Sequence, residues 1–235
     1  MSQSQITLTP QRFAQGMIFE QYLAFIGSPE NLRREGSGGA ARRDWTAYLR
    51  ERYNRTRLSE AQVAAFRWLT SQPNGPAKML MVAEEWSSDC RRDLPVVQRL
   101  AEAGGVELRI FTRDGDTYGA SPSPDPSAPN ADLMTAFLRR RNGETFQSIP
   151  VVAFFTRDFE LLYHYLEFPA VYHKDRIRAH QRAARAGEAP EDTRKRADAE
   201  FAAMLDSPML EVWADAAVAE MISLLYQRIV VGSLA

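Results

Sequence analysis

The central part of the chain alternates between two residue periods, and this alternation constrains the fold more than any other feature. A continuous apolar run at 79–83 has the length of a buried strand, and the segment 93–103 has apolar residues at helical spacing. The segment 106–111 alternates like a strand, and two further strand-like segments follow at 149–155 and 161–166. This order predicts an α/β protein in which helices cover a central sheet.

The chain before the first strand is predicted to be helical. Thr9 followed by proline is the pattern of a helix N-terminus, and this helix is expected to continue to the break at Gly27. The glycine-rich segment 36–39 is predicted to be a flexible linker. Ser59 with Gln62 three residues later has the pattern of a capping box, which predicts the start of another helix.

Two connections are predicted between the later strands. The segment 113–130 contains several prolines, so it is predicted to be a loop. The segment 132–141 is predicted to be a helix that ends at the Asn-Gly pair 142–143. After the last strand, the segment 173–200 is rich in Arg and Ala, and an amphipathic helix is predicted to begin near Ser207.

These patterns divide the chain into three parts. Residues 1–77 are predicted to be an N-terminal helical extension, residues 78–168 a core in which the order β-α-β-α-β-β is evident, and residues 169–235 a C-terminal helical extension. The apolar faces of both extensions need a partner surface, which is most simply the core. A homodimer formed through the extensions is the alternative.

Composition excludes several kinds of site and partner. The single cysteine, Cys90, cannot form an internal disulfide or a thiolate-only metal site. With 29 basic and 30 acidic residues, the charge gives no reason to expect nucleic acid or a membrane surface as a partner. His173 and His180 lack an evident third ligand, so no metal and no cofactor are predicted. No targeting signal or membrane-spanning run is present, so a cytoplasmic location is expected.

The turn after the first strand carries the candidate chemistry. Cys90 falls in the first turn of the next helix, where backbone N–H groups and the helix dipole can stabilise a thiolate. Ser87 is expected to cap this helix, and Arg91 would add positive charge if it faces the thiol. Glu84 and Glu85 are expected to be solvated charges at the strand end, although either could tune the thiol or accept a proton.

The turn resembles that of thioredoxin-like proteins, specifically the subgroup with Trp-Cys-x-Asp-Cys at this position. The resemblance covers about 78–168, with Trp86 at the motif tryptophan, Pro95 at the helix proline and Pro150 at the proline loop. It implies a thioredoxin-like fold with a core of the order β-α-β-α-β-β-α. It also implies a cis bond before Pro150, and backbone hydrogen bonds from Ile149 to an extended substrate. The residues expected to form the substrate groove are Trp86, Ser88, Asp89, Ile149 and Pro150.

The chain departs from this family at the attacking position. Ser87 stands where the first motif cysteine would be, and Cys90 stands at the second. A serine hydroxyl is a weak nucleophile without an adjacent base, and a single thiol cannot store two electrons in an intramolecular disulfide. Met81 occupies the position of the buried acid on the family's central strand. Dithiol redox chemistry is therefore excluded.

Three functions remain open from the sequence. In the first, Cys90 and Ser87 act as a catalytic pair in which Cys90 is a lone thiol in thiol–disulfide exchange, and the groove takes a peptide or a low-molecular-weight thiol. In the second, the protein is a non-catalytic binding or scaffold module. In the third, it is a monothiol peroxidase resembling peroxiredoxins, although Glu84 replaces the proline of that family. The exposure of the Cys90 sulfur distinguishes these functions.

Overall fold

The structure, a computed structural model, describes residues 7–120 and 122–232. The outer ends of both predicted extensions, residues 1–6 and 233–235, and residue 121 of the predicted loop lie outside the described residues. The helices that precede the sheet are α1 (Pro10–Ala14), α2 (Phe19–Ile26), α3 (Pro29–Arg33), α4 (Thr46–Arg55) and α5 (Glu60–Thr70).

A four-stranded sheet forms the centre of the core. In chain order its region contains β1 (Lys78–Val82), α6 (Ser88–Gly104), β2 (Glu107–Phe111), α7 (Ala131–Ala136), β3 (Arg139–Arg141), β4 (Glu144–Phe146), β5 (Val151–Phe155) and β6 (Leu161–Leu166). The strand order is β2-β1-β5-β6, with β1 parallel to β2 and antiparallel to β5. The predicted order β-α-β-α-β-β is confirmed by β1, α6, β2, α7, β5 and β6, although β3 and β4 are inserted and the next helix begins only after residue 168. β6 has the predicted bounds. β3 and β4 form a separate hairpin.

Three α-helices follow the sheet in the described part of the chain: α8 (Lys174–Arg182), α9 (Pro190–Leu205) and α10 (Met209–Tyr226). α10 packs against α5, α6 and β6, while α4 packs against α6 and α2 packs against β2. Helices from both extensions therefore share one hydrophobic core with the sheet. No helix in the described part of the chain is long and apolar enough to cross a membrane.

The helix caps predicted at Thr9 and Ser59 are confirmed. Thr9 accepts a hydrogen bond from the N–H of Arg12 at 3.1 Å and caps α1. Ser59 and Gln62 form a reciprocal capping box, in which each side chain accepts the other residue's backbone N–H, at 3.1 and 2.9 Å. These contacts satisfy N–H groups that a helix N-terminus leaves unpaired.

The prediction of one helix from Thr9 to Gly27 is wrong, because the chain breaks between α1 and α2. Met17 and Ile110 of β2 exchange two backbone hydrogen bonds of 2.8 Å at this break. A Cβ at Gly16 would lie 2.6 Å from the ring of Phe111, so glycine allows the close approach. The predicted linker 36–39 is also ordered, as a short turn at Ser37–Gly39.

The prediction of a helix over 132–141 is wrong after Ala136. The chain turns at Asn142 and Gly143, whose φ angles are 52° and 83°, and β3 pairs with β4. Two consecutive residues with positive φ are typical of the tight turns that join antiparallel strands. The Asn-Gly pair is therefore a hairpin turn rather than the end of a helix.

Candidate functional site

The turn between β1 and α6 places the predicted motif at the N-terminus of a 17-residue helix. The N–H of Ser87 donates to the carbonyl of Glu84 at 3.1 Å and tightens the turn. The hydroxyl of Ser87 then accepts the N–H of Cys90 at 3.4 Å. Ser87 is therefore the helix cap, as predicted.

The thiol of Cys90 lies beneath this turn, and the residue is 1% exposed. Burial raises the pKa of Cys90 to about 12, against the opposing effect of hydrogen bonds with the Ser87 side chain and the Glu84 backbone. The neighbouring Asp89 and Asp93 carboxylates raise the pKa further. At neutral pH only roughly one molecule in 10⁵ would carry the thiolate, which is the nucleophilic form.

The expectation that Glu84 and Glu85 are solvated is wrong, because these side chains are 0% and 1% exposed. Arg42 contacts Glu84 at 2.6 Å and Glu85 at 2.8 Å. Glu84 also accepts the backbone N–H groups of Arg113 and Asp114 at 2.8 and 2.7 Å. Burial raises the pKa of Glu84 and Asp114 adds to this, while Arg34 and Arg42 oppose it.

The two arginines that neutralise these carboxylates come from the N-terminal extension. Arg34 contacts Glu84 at 3.1 Å and donates to the carbonyls of Asp114 and Gly115 at 2.5 and 2.9 Å. Arg42 also reaches Asp114, at 3.5 Å. We call Arg34, Arg42, Glu84, Glu85 and Asp114 the buried charge network. It joins the N-terminal extension to the ends of β1 and β2, directly below the motif.

A second set of ion pairs fixes Asp89, one of the residues expected to form the groove. Arg92 is 1% exposed and contacts Asp89 at 2.6 Å and Asp93 at 2.7 Å. Tyr165 of β6 donates to Asp93 at 3.0 Å, and Lys174 donates to Asp89. Asp89 is therefore a buried, paired carboxylate.

Arg91, expected to tune the thiol, makes its hydrogen bonds elsewhere. It donates to the carbonyls of Glu85 and Trp86 at 2.7 and 2.8 Å. Its guanidinium also lies 3.8 Å from the ring centre of Trp45 in the N-terminal extension. These contacts hold the motif turn and the N-terminal extension together.

An open cleft of about 230 Å³ lies at the N-terminus of α6. Of the predicted site residues, Trp86, Ser87, Asp89 and Ile149 line it, whereas Ser88 and Pro150 do not. The Ile149–Pro150 bond is cis, as the resemblance implies. Sequence reasoning missed other residues that line the cleft, including Arg113, Tyr118, Ser148 and Lys174.

A second cleft, of about 450 Å³, lies within the loop that follows β2. It shares Arg113, Tyr118 and Gln147 with the first, so the two clefts adjoin. The rings of Trp86 and Tyr118 meet edge to face with centres 5.5 Å apart. Trp86 also donates from Nε1 to Asp114 at 3.1 Å, so the loop is held against the motif.

The structure contains no obvious metal centre in its described ranges. Among residues 7–120 and 122–232, no group of three or more His, Cys, Asp and Glu side chains is placed to hold a metal ion.

Comparisons with known proteins support the fold. A family model described as thioredoxin matches residues 39–120, beginning within the N-terminal extension and ending in the loop after β2. A protein of unknown function from Pseudomonas aeruginosa is similar in structure, with a TM-score of 0.52, 14% identity, and coverage of 93% of this chain and 98% of that chain. An HIV epitope-scaffold has a TM-score of 0.48 and 14% identity, with coverage of 91% of this chain and 94% of that chain. No curated protein matches the sequence.

The structural and sequence findings agree on the central part of the molecule. β1, α6 and β2 are followed by a cis-proline loop and the antiparallel strands β5 and β6. The thioredoxin match includes β1, the motif turn, α6 and β2. The chain therefore has a thioredoxin-like fold, and the match over residues 39–120 supports a relationship to the thioredoxins.

Proposed function

We propose that the protein is a non-catalytic binding module of thioredoxin fold, and that its cleft at the cis-proline loop takes an extended peptide. One contrast carries the proposal. The cleft beside Trp86 and Ile149 is open, whereas Cys90 is 1% exposed and its pKa is raised to about 12 by burial. The site offers a surface to a ligand without offering it a nucleophile.

The backbone at the cleft supports a peptide ligand. Within the described residues, the N–H and C=O groups of Ile149 make no hydrogen bond. An extended peptide recognised through its main chain needs such free groups, and nearby side chains then select among peptides. Trp86 and Tyr118 supply half-buried aromatic surface next to Ile149.

The state of Cys90 weighs against the two monothiol functions. Thiol–disulfide exchange and peroxide reduction both begin with attack by a thiolate. A buried thiol with a pKa near 12 is protonated at neutral pH and is not reached by a disulfide or a peroxide. The hydroxyl of Ser87 is occupied as the cap of α6.

NMR titration with a neutral peptide tests the proposal. The probe is the acetylated pentapeptide amide Ala-Val-Ala-Val-Ala, and the readouts are the Trp86 indole and the Ile149 backbone amide. Both signals should shift on titration, and equally in Cys90→Ala, because the thiol takes no part. Ser148→Phe, which fills the cleft, should abolish the shifts, while Ser71→Phe at the exposed end of α5 should retain them.

Two results would contradict the proposal. If the unmodified protein shows no shift, the proposal that the cleft binds a peptide is wrong. Formation of a mixed disulfide between native Cys90 and a small aromatic disulfide at neutral pH would restore the monothiol function, because it would show a reachable and ionisable sulfur.

A further inference from the structure

Arg113 has a buried charged group that the contacts around it leave incomplete. The residue is 5% exposed and stands just beyond the end of β2. Its Nε donates to Asp114 at 2.7 Å and its Nη1 to the carbonyl of Gln147 at 2.9 Å. Its Nη2 is buried and has no hydrogen-bond partner among residues 7–120 and 122–232. An unpaired buried donor is costly and calls for an explanation, most of all on a charged group.

The position of this group connects it with the cleft. Arg113 lines both adjoining clefts, and the smaller one is also lined by Trp86 and Ser87 at the N-terminus of α6. The helix contributes positive potential there, because its first N–H groups point outward. A buried guanidinium and a helix N-terminus therefore belong to the lining of one cleft, and both favour an oxygen anion.

We propose that Arg113 is the anchor for a carboxylate group of the ligand, which it would hold through Nη2. This inference rests on the peptide-binding function proposed above and names the chemistry by which that cleft selects its ligand. A charge-assisted hydrogen bond to a carboxylate is stronger than one between neutral groups, so the anchor would dominate selection.

The surrounding charges favour a carboxylate over a doubly charged phosphate. The cleft is also lined by Asp89 and Glu167, and both are paired with Lys174. Asp114 takes one of the Arg113 bonds and contacts Arg42 as well. The nearby acids therefore leave little excess positive charge, which suits a single negative charge.

A ligand carboxylate can reach Nη2 of Arg113 only if part of the loop after β2 moves, because Nη2 is closed to solvent. The Arg113 guanidinium lies 5.0 Å from the ring centre of Trp86 and 5.2 Å from that of Tyr118, and Nη2 is closed to solvent. Tyr118 belongs to the loop, whereas Trp86 is held at the α6 N-terminus. A carboxylate would therefore reach Nη2 by displacing Tyr118.

Matched peptides test the anchor and distinguish two sources of the carboxylate. A chain terminus is tested by acetylated Ala-Val-Ala-Val-Ala as its free acid against its amide. A side chain is tested by acetylated Ala-Val-Asp-Val-Ala amide against its Asn counterpart. We expect at least one acid to bind roughly tenfold or more tightly than its neutral partner, as the loss of one charge-assisted hydrogen bond implies. The pair that shows the gain identifies the source.

Variants assign the gain to Arg113. Arg113→Gln should abolish the difference between acid and neutral peptides, while Arg157→Gln, an exposed arginine in the turn between β5 and β6, should retain it. The Arg113 Nε–H signal of the unmodified protein is a second measurement that requires no variant. It should shift with the acid peptide and stay unchanged with the neutral one.

The outcomes separate this inference from the proposed function. If acid and neutral peptides bind equally, or if the acid binds without moving the Arg113 signal, the anchor is wrong and the peptide cleft stands. If the gain persists in Arg113→Gln, the anchor is again wrong. If none of the peptides binds, both the anchor and the proposed function fail.

Discussion

The two helical extensions meet the core in different ways. The N-terminal extension inserts charged side chains beneath the site, where Arg42 is fully buried among Glu84, Glu85 and Asp114. The C-terminal extension packs mainly through the apolar face of α10. Apart from Lys174, its described charged residues form partly exposed ion pairs, some with one another, as Arg196 does with Glu188 at 2.7 Å, and some with the rest of the chain, as Glu211 does with Arg52 at 2.9 Å.

This difference indicates which extension belongs to the site. Buried charges depend on their partners, because a lone charge in a low-dielectric interior is strongly unfavourable. Surface pairs can be broken at little cost, because water and salt replace the partner. The N-terminal extension is therefore an integral part of the motif turn, while Lys174 is the residue of α8 that reaches the cleft.

The largest expected effect concerns the reactivity of Cys90, which tests how completely its thiol is shielded from solvent. With a pKa near 12 instead of the ordinary 9.0, its thiolate population at a given pH falls roughly a thousandfold. Alkylation by iodoacetamide should be slower by at least that factor in the native protein than in guanidinium chloride. Because the folded pKa is raised, this thiol favours folding below pH 9.0, and that contribution is lost as pH rises from 9.0 toward 12.

A reference thiol controls for the reagent. Ser71→Cys in a Cys90→Ala background places a thiol at an exposed position, and it should react at the same rate in native and unfolded protein. If native Cys90 reacts as fast as this reference, the Cys90 thiol is accessible to the reagent and the description of it as buried is wrong.

Next in size is the effect of Arg42→Ala on stability. The substitution leaves Glu84 and Glu85 buried without their main cation, so we expect a loss of about 3–5 kcal/mol in the free energy of unfolding. Urea denaturation measures it. Arg43→Ala is the matched control, because this neighbour is exposed and should change stability by less than about 1 kcal/mol. Equal losses in the two variants would remove the distinction between the extensions.

A smaller effect is expected where the C-terminal extension touches the cleft. Lys174→Met removes one partner of Asp89, but Arg92 still contacts that carboxylate at 2.6 Å. We expect a loss of about 1–2 kcal/mol in urea denaturation, with no measurable loss for the exposed Lys195→Met. A Lys174→Met loss as large as that of Arg42→Ala would mean that both extensions depend equally on buried charge.

The smallest effect is expected for an ion pair within the C-terminal extension, between Arg196 and Glu188. Hydrogen bonds from Arg196 lower the pKa of Glu188 to about 2, from 4.5. Any stabilisation from this pair is present above pH 4.5 and is lost as pH falls toward 2. NMR titration of the Glu188 carboxyl should show the low pKa, and Arg196→Gln should return it toward 4.5 with little change in unfolding at neutral pH. An unshifted pKa in the unmodified protein would contradict this pairing.

The parts of the fold that the sequence predicted correctly have local signals. Each signal lies within a few consecutive residues: the apolar run of β1, the cap at Ser87 and the alternation of β2. The hairpin of β3 and β4 had a signal as well, since Asn142 and Gly143 are a common hairpin turn. The preceding segment also fits a helical period, and that period favours a helix that ends at this pair.

The buried charge network has no comparable signal in the sequence. Arg34 and Arg42 lie 50 and 42 residues before Glu84, in a polar and glycine-rich segment that is typical of a solvated linker. Only the folded arrangement brings these residues together. The reactivity of Cys90 was undetermined for a related reason, because the helix N-terminus and burial act on its pKa in opposite directions.

The contact of Met17 with Ile110 has a consequence for association between molecules. β2 is an outer strand of the sheet, and an unpaired outer strand is a template on which another chain can add a strand. Met17 already occupies the N–H and C=O of Ile110, and Gly16 lets this segment approach closely. The N-terminal extension thus covers this strand at Ile110, which hinders the addition of another strand at that point.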